Sequence, residues 1–227
     1  MKIPFIIRKF LAEFYGTFIL VFIGTGSIAL NPNADLLTVA FAFGFSVMLA
    51  IYTIGHISGA HLNPAVSLAM VFDRRLSWQD FFIYFLSQLL GALFASLTLM
   101  GLSGLEIFQG LGATSFDTNI SPLMIVIVEM FLTFILVYLV LAGSQRKSLQ
   151  PLLGLIVGLG LVGLILVGGP LTGASLNPVR SIIPAFLEGG EALQQLWVYV
   201  VGPFLGSVLA VIFYRVLKFT DKDTTPS

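Results

Sequence analysis

Two near-copies of one polar segment interrupt apolar runs at matching places in the chain. The first reads Ser58-Gly59-Ala60-His61-Leu62-Asn63-Pro64-Ala65-Val66-Ser67. The second reads Thr172-Gly173-Ala174-Ser175-Leu176-Asn177-Pro178-Val179-Arg180-Ser181, with Asn177 standing 114 residues after Asn63. Polar, irregular backbone at membrane depth is tolerated only where protein buries it or where it lines a watery cavity. Two such breaks, one in each half, predict a binding or conduction site near the bilayer midplane.

The surrounding chain is 57% hydrophobic and 10% charged, against about 25% charged in a soluble domain. It reads as an all-α polytopic membrane protein. Zero net charge and the lack of a basic tract speak against nucleic acid as a partner. With no cysteine and two histidines, neither a disulfide, a thiolate centre nor a metal site is expected. No cofactor is called for, and no nucleophile–base pair or phosphate loop suggests an enzyme. The first apolar run lacks a cleavage-site pattern and is long enough to span, so it reads as a retained helix.

A spanning helix needs about 20 mainly apolar residues. Six runs qualify, over 8–30, 36–57, 79–100, 122–143, 152–169 and 194–218. Shorter helices starting at Pro64 and Pro178 are expected to be re-entrant halves. Six spans put Lys2, Arg8, Lys9, Arg74, Arg75, Arg146, Lys147, Arg215, Lys218 and Lys222 on one side, which the positive-inside rule makes cytoplasmic, with both termini. Asp35, Glu106, Asp117, Glu188 and Glu191 fall opposite.

The duplication runs wider than the breaks. Ala12-Glu13-Phe14-Tyr15-Gly16-Thr17-Phe18 resembles Val128-Glu129-Met130-Phe131-Leu132-Thr133-Phe134. The chain therefore reads as a single domain over 1–227, with a first repeat over 8–110 and a second over 120–218. Three spans per repeat make the second an inverted copy, so the half-helices enter from opposite faces and meet at the centre.

Asn is a favoured N-cap and Pro a favoured first helical residue, so one Asn-Pro signals only a helix start. Asn31-Pro32 illustrates this, in a polar loop without the matching flank. The flanked pair predicts more. Each half-helix N-terminus carries about half a positive charge, and two meeting ends repel cations. Two Asn amides donating to one passing oxygen turn the hydrogens of that water outward and interrupt proton relay. Arg180, a lone charge at depth, is expected to face the cavity. Glu13 and Glu129 are expected to anchor the re-entrant loops by accepting from their N–H groups. His56 and His61 are expected to pack against the first loop. The carbonyls of Gly59, Ala60, His61, Gly173 and Ser175 form a candidate ladder of acceptors. Gly91, Ala95, Gly154, Gly158, Gly160 and Gly163 suit close helix contacts.

At these residues the chain resembles the aquaporin (major intrinsic protein) family over nearly its whole length. That resemblance implies six tilted helices, two half-helices in an inverted repeat, one pore per subunit and a homotetramer in the cell membrane. It makes Asn63-Pro64-Ala65 and Asn177-Pro178-Val179 the paired pore motifs. It also implies a filter of Phe43, Ile165, Ala174 and Arg180. Two departures stand out. Val179 replaces Ala in the second motif and is expected to pack behind the half-helix. Ile165 stands where strict water channels of the family usually have His and glycerol-conducting members usually have Gly. The set resembles the filter of archaeal-type aquaporins. The expected function is a passive, proton-excluding water channel tolerant of small neutral solutes. A facilitator of glycerol or another small uncharged solute is the first alternative. An ion-coupled transporter is the second, with Glu13 and Glu129 as its only relay candidates. A junction protein with a nearly closed pore is the third, and the modest loop over 101–121 gives it little to work with.

Overall fold

The computed structural model describes residues 3–31, 33–103 and 110–218. Lys2, Pro32, Glu106 and Lys222 lie outside the described residues. Among the described residues all regular structure is helical.

Among the described residues five helical segments are long and apolar enough to cross a membrane: Leu36–Ser58, Trp78–Leu102, Pro122–Gln145, Gln150–Thr172 and Gly190–Leu217. The first apolar run is the sixth. It proceeds as α1 (Phe5–Ile19), a π-helical stretch (Leu20–Thr25) and α2 (Gly26–Ala29), with right-handed helical dihedrals at every junction. The widened turn lies where Gly24 meets the Phe43 ring, whose Cγ stands 2.7 Å from where a β-carbon would be. The remaining elements are α3 (Leu36–Ser58), α4 (Pro64–Phe72), α5 (Trp78–Leu102), α6 (Pro122–Gln145), a 3-10 turn (Gln150–Leu152) leading into α7 (Leu153–Thr172), α8 (Pro178–Glu188), α9 (Gly190–Gln195) and α10 (Val198–Leu217).

Local chemistry sets the ends. Asp35 and Ser77 cap α3 and α5 by accepting from the N–H groups of Thr38 and Asp80. Asn63 and Asn177 cap α4 and α8, each followed by Pro at the first position. Gly59 and Gly173 end α3 and α7 in the left-handed conformation that glycine adopts without steric cost. The last span, placed over 194–218 by the sequence, holds α10 with the turn at Leu196–Trp197 and the end of α9 before it; Gly189 and Gly190, both with positive φ, separate α8 from α9.

α1 packs along α5, α6 along α10, and α3 along α7. Small residues permit these approaches. A β-carbon on Gly91 would collide with the Phe14 carbonyl, and one on Gly206 with the Met130 carbonyl. Gly158 faces Gly44 across α3 and α7. Gly154 lies beneath the Tyr52 ring, Gly160 meets Leu139, and Ala95 is fully buried. Gly163 departs from the expectation: nothing lies within 4 Å of its β position, since it points away from both neighbouring helices. The outside is apolar, with Leu123 66% and Val167 70% exposed, as a lipid-facing surface requires.

Cross-links gather the basic clusters on one face. Lys9 pairs with Asp80, Arg75 bonds Ser144 and Tyr214, and Arg215 donates to the Phe72 carbonyl. These contacts join the start of α1 and α5 to the ends of α4, α6 and α10.

Candidate functional site

The two polar segments fold alike. Gly59, Ala60 and Leu62 have φ of 90°, 49° and 55°, and Gly173, Ala174 and Leu176 have 74°, 46° and 54°. Left-handed backbone costs about 1–2 kcal/mol at each non-glycine residue, so the surroundings must hold it. Buried carboxylates do so. Glu13 accepts from the Ser58 hydroxyl (2.6 Å), the N–H of His61 (2.9 Å) and Leu62 (2.8 Å), and the Gln88 amide (2.9 Å). Glu129 accepts from the Thr172 hydroxyl (2.7 Å) and the N–H of Ser175 and Leu176 (2.9 Å each). The Ser58 and Thr172 hydroxyl oxygens in turn accept from the N–H of Ala60 and Ala174. Tyr84 and Tyr199 donate to the carbonyls of Ser58 and Thr172.

At the centre the halves are stitched together. The Asn63 amide donates to the Leu176 carbonyl and the Asn177 amide to the Leu62 carbonyl, both at 2.8 Å. The Asn63 oxygen accepts from the N–H of Ala65, and the Asn177 oxygen from those of Val179 and Arg180. Both amides are therefore oriented. Their oxygens are committed to the half-helices, and each nitrogen keeps a second N–H for the cavity.

That cavity encloses about 660 Å³, counting space open to solvent, and runs between α3 and α7 past both half-helix starts. Phe43, Ile165, Ala174 and Arg180 line it together, as do Asn63 and Asn177. Val47, Ile51, Val140, Leu153 and Val157 continue the wall toward the basic face. Of the candidate carbonyl residues, Gly59, Ala60, His61 and Ser175 reach the lining, and Gly173 is not among the residues that line it. Pro64, Ala65, Pro178 and Val179 are buried outside that lining. Val179 packs with Val21, Ala92 and Ala95 behind α8.

Arg180 is 3% exposed. Its guanidinium stands 4.8 Å from the Phe43 ring centroid and donates from Nη1 to the Gly112 carbonyl at 2.9 Å. Among the described residues its buried Nε has no partner. The segment that offers Gly112 is itself tied down. Ala113 N–H donates to Glu188, Thr114 bonds Ser181, and the Gln195 amide makes a donor–acceptor pair with the Phe116 backbone. His61 packs against the loop as expected from its position, bonding Ser67 through Nδ1 and meeting the Tyr84 ring edge-on. His56 does not: it is exposed on the outer side of α3, where the helix phase turns it from the loop.

Several structural partners went unread in the sequence: Ser58, Thr172, Gln88, Gly112 and Gln195. Tyr84 and Tyr199 carried a usable signal, since their spacing of 115 nearly matches that of the motifs.

Two half-helices meeting end to end across a lined cavity inside a six-span helical bundle define a membrane channel. The major intrinsic protein family model matches residues 1–214, and the chain belongs to that family. It is accordingly a passive multi-pass channel and not an enzyme. It is 40% identical over 221 residues to glycerol uptake facilitator protein-like 6 of Lactiplantibacillus plantarum, covering 94% of this chain and 100% of that one. It is 36% identical to aquaporin Z of Rhodopseudomonas palustris, covering 93% of each. Among solved structures it resembles the aquaglyceroporin from Plasmodium falciparum, with a TM-score of 0.84, 31% identity, and 93% and 96% coverage.

Proposed function

We propose that this chain conducts water and small uncharged solutes up to the size of glycerol, and excludes protons and ions. The reading rests on the reciprocal Asn63–Leu176 and Asn177–Leu62 bonds. They hold two N–H donors toward one point of the lumen, with both amide oxygens occupied. A water there accepts from both, its hydrogens point away along the pore, and no proton crosses. The half-helix N-termini of α4 and α8 add positive field against hydronium and metal cations.

Phe43, Ile165, Ala174 and Arg180 are the proposed filter. Phe43 and Ile165 offer carbon surface, and Arg180 offers the donor. Such a ring suits water, and also a polyol that turns its carbons to one wall and its hydroxyls to the other. Ile165 supplies no imidazole to narrow the ring or compete for hydroxyls. The 40% identical glycerol uptake facilitator-like relative favours the same solute range. Glu13 and Glu129 are assigned the loop-anchoring role. Both are absent from the cavity lining, Glu13 accepting four bonds and Glu129 three from the loops and their neighbours, which argues against proton-coupled transport.

The proposed working form is a homotetramer in the cell membrane, with the basic face and both termini cytoplasmic. The test is stopped-flow shrinkage of proteoliposomes in matched sucrose and glycerol gradients. Fast water efflux with glycerol entry well above empty liposomes is expected. Fast water flux without glycerol entry would restrict the channel to water, and no acceleration of either would overturn the reading.

A further inference from the structure

A second concave surface, which shares no lining residue with the lumen, lies where the end of α6 meets the end of α10. This groove encloses about 1600 Å³, counting space open to solvent. Arg146 and Lys218 stand on its rim, Gln145 and Tyr214 in its wall, and Val216 and Leu217 along its apolar side. Among the described residues no carboxylate lines it, and neither Arg146 nor Lys218 forms an ion pair. The Lys218 ammonium sits 5.7 Å from the Tyr214 ring centroid.

The wall is braced from behind. Arg75 donates to the Tyr214 hydroxyl at 2.7 Å and to Ser144 at 2.8 Å, and Tyr214 donates to Gln145. The groove therefore does not depend on its rim cations for its shape. Its apolar side runs without a break onto the outer surface, where Val216 is 75% and Ile212 57% exposed. It opens on the face that collects Lys9, Arg75 and Arg215.

A ligand for this surface must carry an anion beside a hydrocarbon chain. The geometry points to the phosphate of an anionic phospholipid, held by Arg146 and Lys218 with an acyl chain laid along Val216 and Leu217. Free phosphate would use the rim and leave the apolar side empty. Basic groups next to a membrane-facing helix end are where anionic headgroups are attracted most strongly.

The full chain, purified in detergent, is titrated with phosphatidylglycerol and with phosphatidylcholine, and bound lipids are counted by native mass spectrometry. Each rim cation contributes about fivefold, so phosphatidylglycerol is expected to bind on the order of 30-fold tighter than phosphatidylcholine. The Arg146→Gln/Lys218→Gln double variant should lose that preference while keeping wild-type water flux. Arg8→Gln/Arg74→Gln removes the same charge outside the groove and should keep the preference. Inorganic phosphate at millimolar concentration should not displace the lipid. The inference is overturned by equal binding of the two lipids, by a preference that survives the rim substitutions, by equal loss in the control, or by displacement with inorganic phosphate.

Discussion

A Glu13→Gln variant keeps the side chain's size and removes one acceptor. Each oxygen of Glu13 holds a backbone N–H that cannot turn away, His61 on one and Leu62 on the other. The amide retains a single oxygen, so in either orientation one of these N–H groups faces an NH2 group. Ser58 and Gln88 can reorient, but the backbone cannot. Stranding a buried donor costs about 1–3 kcal/mol, and each remaining bond loses about 1 kcal/mol in passing from a charged to a neutral acceptor. The expected loss is about 2–4 kcal/mol. Glu129→Gln meets the same constraint at Ser175 and Leu176. Unfolding of such a protein is read as an operational midpoint. The assay heats detergent-purified protein for fixed times and measures the correctly assembled fraction by size exclusion. At about 2–4 °C per kcal/mol for a chain of this size, the midpoint should fall by at least about 4 °C. Selectivity of the surviving fraction should change far less. A correctly assembled Glu13→Gln protein with wild-type thermal stability would refute the anchoring argument.

Arg180→Ala removes the guanidinium over Phe43 and leaves the Gly112 carbonyl without its partner. Proton and small-cation leak, read with a pH dye in proteoliposomes, should rise, and unchanged leak would contradict the filter assignment. Ile165→His should cut glycerol entry while water flux persists; undiminished glycerol entry would mean residue 165 does not face the constriction. Gly91→Ala drives a β-carbon into the Phe14 carbonyl and to 3.1 Å from the Phe18 nitrogen, so α1 and α5 must part. Its cost should reach at least about 1–3 kcal/mol, seen as lost assembly. Gly101→Ala meets nothing within 4 Å and should be neutral or stabilising by up to about 1 kcal/mol. Equal behaviour of the two glycine variants would discredit the packing account.

The six apolar runs were legible because a bilayer accepts few alternatives to helices of that length, and length and hydropathy are local properties. The half-helix starts were legible because Asn followed by Pro acts within three residues. Helix phase was not: His56 and Gly163 face outward, and only the packing of α3 and α7 decides which side of each helix is inside.

The site divides in the same way. The repeated motif, read by itself, determined which residues would be central and that two of them would be asparagines. That follows because a polar break in an apolar run has few tolerated placements. The commitment of each Asn amide to the opposite loop, the Gly112 carbonyl under Arg180 and the donors around Glu13 were decided only by the tertiary structure. Those bonds join residues from 45 to 115 positions apart. Most of their partners are backbone carbonyls and N–H groups, which every residue but proline possesses in full. Side-chain identity announces no such partner, and only the packed chain selects which of them face each other.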